Sequence, residues 1–217
     1  MSVGKKMIIA LDGPGASGKG TLARRLAEYY NLALLDTGAL YRAVGWNVLQ
    51  KCGDPENEAD ALKAVNKIGE TDFSNPDLRS ESTGAAASKV AAIPAIRQVL
   101  VDFQRNFANN PPPDKDGSIL DGRDIGTVIC PEAPYKIFIT ADADIRAKRR
   151  FLEEYGADGT DDQYSVILND LIARDERDMN RSTSPLRKAE DAHLIDTTNS
   201  DIEAVFEAAV AYISNNE

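Results

Sequence analysis

A chain of 217 residues, with 42% hydrophobic and 28% charged side chains, has the size and make-up of one globular domain with a substantial core. Its formal net charge of −10 argues against a nonspecific nucleic-acid binder or a protein drawn to acidic membranes, since both need basic surface. Two cysteines, Cys52 and Cys130, make neither a disulfide framework nor a metal set, and no apolar run reaches the ~20 residues of a membrane span.

The first six residues lack a signal-peptide pattern and are expected to lead straight into the first strand of a cytoplasmic protein. That strand is the apolar run Met7 to Leu11. It meets Gly13-Pro14-Gly15-Ala16-Ser17-Gly18-Lys19-Gly20-Thr21, after which Leu22, Ala23, Leu26, Ala27 and Tyr30 form one apolar stripe of a helix. Strand, glycine-rich turn and helix in that order make a phosphate-cradling loop. Glycines let successive N–H groups converge on phosphate oxygens, the helix adds its partly positive N-terminus, and Lys19 adds a full charge. An ATP site is the expectation. In the commonest version Ser or Thr directly follows the lysine; here Gly20 intervenes and Thr21 brings the hydroxyl. That variant resembles the loop of nucleoside monophosphate kinases more than that of GTPases or motor ATPases.

Leu32 to Leu35 predicts a second buried strand ending at Asp36, and a helix from about Ala39 to Lys51 with Thr37 as its N-cap. Arg42 falls in the first turns of that helix, near the sheet edge where open α/β folds bind ligands, and reads equally as a ligand contact or a surface residue. From Cys52 to Thr83 the chain reads as an insert off the sheet, with a helix over Glu58 to Ile68. Gly84 to Phe107 is helical but broken before Pro94, so two helices meet there, one carrying Ser88 and the other Arg97. Nothing local marks either residue as functional. Asn109 to Gly117 reads as an exposed loop.

Ser118-Ile119-Leu120 predicts a third strand, ending in Asp121-Gly122-Arg123-Asp124-Ile125-Gly126-Thr127. Carboxylates and a guanidinium where a sheet's crevice opens are better explained by a ligand than by a polar turn. Tyr135 to Thr140 is the next strand. The helix from Asp142 to Tyr155 carries Arg146, Lys148, Arg149 and Arg150, read as a solvated face with one arginine near the ATP base. After an acidic loop, Asp158 to Asp162, a helix from about Gln163 ends in Arg174-Asp175-Glu176-Arg177-Asp178-Met179-Asn180-Arg181. Arg174, Asp178 and Arg181 share one face, either as solvated salt bridges or as a mobile segment closing on phosphates. Ala192 to Ile195 is the last strand and Asp201 to Ile213 the last helix. His193, the one histidine, reads as a packed or edge residue rather than a catalyst. Strands alternating with helices predict a three-layer α/β fold of the P-loop NTPase type, a parallel sheet covered on both faces.

Taken together these blocks resemble the bacterial cytidylate kinases, which convert CMP and dCMP to diphosphates with ATP. The resemblance runs over nearly the whole chain. It is carried by Gly13 to Thr21, Leu35-Asp36-Thr37-Gly38-Ala39-Leu40-Tyr41-Arg42, the stretch Ala87 to Arg97, Asp121 to Val128, and Arg174 to Arg181. It implies Ser88, Arg97 and Asp124 at the cytosine, with Tyr41 against the base and Thr37 where Ser is common. It implies Arg174 and Asp178 at the sugar, and Arg42, Arg123 and Arg181 at the phosphates. Lys19, Arg123 and Arg181 would be catalytic. Thr21 would ligate Mg²⁺ directly, and Asp36 or Asp121 would orient its water, the choice between them left open. The implied layout is a core (about 1–52, 110–160 and 190–217), a monophosphate-binding insert (about 53–109) and a lid (about 174–188), acting as a monomer on ATP and CMP or dCMP. The insert between Gly53 and Thr83 is shorter than in many members and lacks a strand pattern. Two rivals remain: a P-loop kinase with another acceptor, and a slow nucleotide-hydrolysing switch. The switch expects Ser or Thr directly after Lys19.

Overall fold

A computed structural model describes residues 7–216; the first six residues, expected to lead directly into the first strand, lie outside the described residues. In chain order the elements are β1 (Met7–Asp12), α1 (Lys19–Tyr29), β2 (Leu32–Asp36), α2 (Thr37–Leu49), α3 (Glu58–Val65), α4 (Glu81–Val90), α5 (Pro94–Asn109), β3 (Gly117–Gly122), β4 (Tyr135–Thr140), α6 (Ala143–Tyr155), α7 (Asp161–Asn180), β5 (His193–Asp196) and α8 (Ile202–Ser214). The five strands form one parallel sheet in the order β2-β3-β1-β4-β5. From β1 the chain builds β2 and β3 on one side and later β4 and β5 on the other. The crevice beyond the C-terminal end of β1 is therefore the topological switch point, where such sheets bind ligands.

Alternation along the strands sets the layers. Ile9, Leu11, Ile119, Ile137 and Ile139 face Leu22 and Leu26 of α1 and Val205, Ala209 and Ile213 of α8. Ala10 and Leu120 face the opposite way, onto Val101 and Ala108 of α5. Register carries three carboxylates to the same edge: Asp36 lies beside Asp121, and Asp12 beside Gly122.

A second core joins α2, α3, α4 and α5 through Leu40, Val44, Val48, Ala61, Ala64, Ala87, Val90 and Ile96. Among the described residues, 53–109 hold no strand; short 3₁₀ turns at Ile68–Glu70 and Pro76–Arg79 link the helices. Pro94 opens α5, because the extended backbone it imposes on Ile93 cannot continue α4. Helices α2 and α4 touch at Gly45, where a Cβ would stand 2.8 Å from the Ala87 nitrogen and 3.0 Å from the Ala86 Cβ. Gly45→Ala sets a helix-propensity gain of about 1 kcal/mol against overpacking of about 1–3 kcal/mol. We expect net destabilisation in urea unfolding; a variant as stable as the parent would show that α4 gives way freely.

Three local expectations are corrected. Asp36, not Thr37, caps α2: its carboxylate accepts from the Ala39 N–H at 3.0 Å, and Thr37 is already helical. The Thr37 hydroxyl instead donates to the Asp121 carbonyl at 2.8 Å, tying α2 to β3. Helix α7 begins at Asp161, earlier than expected, because Thr160 and Gln163 form a capping box. Arg146 is buried rather than on a solvated face.

Candidate active site

The turn after β1 needs glycine at position 13: its φ is +150°, and a Cβ there would collide with the Ile139 carbonyl. The turn delivers the chain to α1, which no side chain caps, so its first N–H groups are left without a side-chain acceptor. Lys19 is only 5% exposed and its Nζ donates to the Pro14 carbonyl at 2.6 Å, folding the amine back over its own loop. Burial, then repulsion from Arg123, lowers its pKa to about 7. A cation so depressed is one that an arriving polyphosphate would recharge.

A groove of about 1530 Å³ runs over this loop, lined by Gly15 to Thr21, Asp36, Arg42, Asp121, Arg123 and Arg174. The expected residues divide into linked sets. Arg42 pairs with Asp36 at 2.7 Å. Asp178 accepts from the Ser88 hydroxyl at 2.8 Å and from Arg123 at 3.2 Å, so α4, α7 and the turn after β3 meet on one carboxylate. Asp124 pairs with Arg97 and lies 3.8 Å from Arg181. The Tyr41 ring lies 5.7 Å from the Arg97 guanidinium. Of the expected acceptor residues, Arg42, Arg123 and Arg174 line the groove itself, whereas Arg181, extended just past the end of α7, lines a separate cavity with Lys89 and Ile93.

The electrostatics are those of an anion site inside an acidic protein. Burial and then Arg123 lower Arg174 to about 10, while burial and then Arg97 lower Arg181. Burial alone would raise Asp178, yet Arg123, Arg174 and Arg181 outweigh it and hold it below the usual carboxylate range. Arg174 Nε and Arg181 Nη2 are buried with no hydrogen-bond partner. Guanidiniums that destabilise one another and keep donors unsatisfied are relieved by phosphate oxygens.

Sequence reasoning missed two groups. Asp12 is buried at the end of β1 and accepts from the N–H groups of Ile125 and Gly126; burial raises it to about 7 despite those bonds. Its one signal was a charge closing an otherwise apolar strand. Arg146 donates to the Gly15 carbonyl at 3.1 Å and pairs with Asp175 at 2.6 Å, joining the glycine loop to α7. Nothing local separated it from Lys148, which is exposed. Arg149 donates to the Thr197 hydroxyl at 2.9 Å beside the groove. His193 is exposed and stacks on Tyr212, away from the groove. No helix of the described residues is long and apolar enough to cross a membrane.

A parallel sheet in this strand order, a glycine-lysine loop opening α1, and arginines converging across the groove define a kinase of the P-loop type. A sequence model of the cytidylate kinase family matches residues 9–215, and the chain belongs to that family. It is 50% identical over 204 residues to the cytidylate kinase of Rhodopseudomonas palustris, with 94% of each chain covered. To that of Afipia carboxidovorans it is 50% identical over 207 residues, covering 95% of this chain and 97% of the relative. In fold it is similar to an uncharacterized protein from Eubacterium ventriosum, with a TM-score of 0.55, 22% identity, and 96% and 99% coverage.

Proposed function

We propose that the chain phosphorylates CMP and dCMP by in-line transfer of the γ-phosphoryl group of ATP, with the residues of this groove and of the ion-pair network beside it in the following roles. The observation that carries the reading is that Arg42, Arg123 and Arg174 line the groove over the Lys19 loop, Arg174 with a buried donor that no group satisfies. The loop Gly13 to Thr21 holds the triphosphate. Lys19 bridges toward its terminal phosphates, and Arg42, Arg123 and Arg181 hold the acceptor phosphate and the moving group. Arg174 and Asp178 hold the sugar. Thr37, Tyr41, Ser88, Arg97 and Asp124 form the base pocket, where Asp124 accepts from the cytosine amino group.

No general base is needed. A phosphate monoester with a second pKa of about 6 already attacks as a dianion at neutral pH, and the protein's work is positioning and charge neutralisation. Residues 174–188 would close as a lid over an insert of 53–109, excluding water that would otherwise hydrolyse ATP. The protein would act as a monomer.

The donor set fits magnesium carried in with ATP. Thr21 offers a hydroxyl in the first turn of α1, and a Cβ on neighbouring Gly20 would stand 3.6 Å from Asp121 Oδ2. Among the described residues no cluster of three His, Cys, Asp or Glu side chains could hold a metal ion. Mg²⁺ suits such a site because it keeps water and phosphate ligands. Thr21 would ligate it, and Asp121 would orient its water, since Asp36 is engaged by its cap and by Arg42. When bound, the ion neutralises charge on the β- and γ-phosphates.

The test is ADP release from ATP and Mg²⁺ with CMP, dCMP, UMP, dTMP or AMP in turn. CMP and dCMP should be the favoured acceptors. Activity with AMP or dTMP alone would overturn the acceptor assignment, and turnover without any acceptor would make the protein a hydrolase.

A further inference from the structure

The segment from Asp121 to Ile129 carries Arg123 and Asp124, and its hold on the rest of the protein is uneven. Its start is fixed by the Thr37 hydroxyl on the Asp121 carbonyl, at 2.8 Å. Its end is fixed by Arg105, which donates to the Val128 carbonyl at 2.9 Å and to the Ile129 carbonyl at 3.2 Å. The middle is a π-helical turn, Ile125–Ile129, closed by the Val128 and Ile129 N–H groups on the Asp124 carbonyl. At the head of that turn the Ile125 and Gly126 N–H groups point into the protein. They meet the two oxygens of one carboxylate, Asp12, at 2.8 and 2.7 Å.

We propose that Asp12 is a positioning residue for acceptor recognition: from the end of β1, it sets the backbone from which Asp124 reads the base and Arg123 reaches the phosphate. The proposal rests on the reading of Asp124 as the cytosine contact. Its physical basis is that both carboxylate oxygens are used, each by an amide next to or one removed from Asp124. A buried carboxylate accepting two backbone N–H bonds fixes both position and tilt of the peptide planes it holds. A pocket that discriminates by one hydrogen bond needs that kind of support, because a small displacement of the reading group forfeits the discrimination. Asp12 also directly precedes Gly13, so the loop that holds ATP and the turn that reads the acceptor share one anchor. Other charged groups act on this carboxylate: Asp124 disfavours its ionised form, Lys19 favours it, and the Lys136 stem packs on the same Gly126.

Asp12→Asn keeps the shape but offers one acceptor in place of two, and turns an N–H₂ toward a backbone N–H. We expect KM for CMP to rise about tenfold or more, the size of one lost buried charge-assisted hydrogen bond. The CMP/UMP ratio of kcat/KM should fall with it, while KM for ATP moves by a far smaller factor. A purely structural role would lower Tm and move both KM values together. Gly126→Ala approaches the same contact from the other side, placing a methyl 3.4 Å from Asp12 Oδ2 and 3.3 Å from Lys136 Cδ. It should give the same CMP-selective split and keeps the test available if D12N does not fold. Unchanged CMP/UMP ratios in both variants, with Asp124→Ala losing the ratio, would overturn the role of Asp12 and leave the base assignment standing. A ratio that survives Asp124→Ala as well overturns the base assignment, and the proposal falls with it.

Discussion

Lys19→Met is expected to lower kcat by roughly 10³-fold or more, the cost of removing a preorganised cation from the transferring phosphates. The side chain is buried and unbranched, and methionine fills its track with little loss of packing. The fold should persist, because the amine's hydrogen bonds run to its own loop, to Pro14 and Ser17, rather than between elements. CMP binding in the absence of ATP should survive, whereas phosphoryl transfer should not. Near-normal turnover would remove the loop from the chemistry. A companion measurement reads the charge directly. Lys19 sits near a pKa of about 7 through burial and the nearby Arg123 and Arg174, and the phosphates of ATP would raise it. At pH 8 ATP binding should therefore take up protons, seen as a binding enthalpy that changes with the ionisation enthalpy of the buffer; at pH 6, where the amine is already charged, that uptake should vanish. The sign for stability runs the other way from a paired lysine. Its folded value lies below the unfolded 10.5, so between about 7 and 10.5 the unfolded chain binds more protons and this group's contribution rises with pH.

The sheet was legible because its strands are short apolar runs closed by charges, and the helices between them show a clear stripe. The glycine loop was legible for the same reason: its residues are contiguous, and their order alone states the geometry. Arg42, Arg174 and Arg181 were not legible from local pattern, since a guanidinium on a helix looks the same whether it faces water or a phosphate. Their meaning came from the family resemblance, and the structure adds that Arg174 and Arg181 keep buried donors unsatisfied. Asp12 and Arg146 stayed hidden because their partners are brought near only by folding: the Ile125 and Gly126 N–H groups for Asp12, and the Gly15 carbonyl and the distant Asp175 for Arg146. Thr37 was misread as a cap for a related reason. Asp36 and Thr37 are both good capping residues, and the pairing of Asp36 beside Asp121 in the sheet decides which one ends the strand.

Substitutions at Asp124 should separate base recognition from fold. Cytosine presents an amino donor where uracil presents an oxygen, so a carboxylate there attracts one base and repels the other. A site of that kind discriminates by orders of magnitude more than a hydrophobic pocket can. Asp124→Ala should lose most CMP affinity and cut the CMP/UMP ratio of kcat/KM by roughly 10²-fold. It also strands Arg97, which is buried and paired with Asp124, and breaking such a pair costs about 3–5 kcal/mol. Lost activity in that variant alone would be ambiguous. Asp124→Asn resolves it, because its amide oxygen can still accept from Arg97 while its N–H₂ can donate to the uracil oxygen. The two variants should therefore lose the ratio by different routes: alanine through a fall in CMP turnover together with a lower Tm, asparagine through a rise in UMP turnover at a Tm closer to the parent. A parental CMP/UMP ratio in Asp124→Asn would take Asp124 out of base recognition and make its pairing with Arg97 a matter of stability alone.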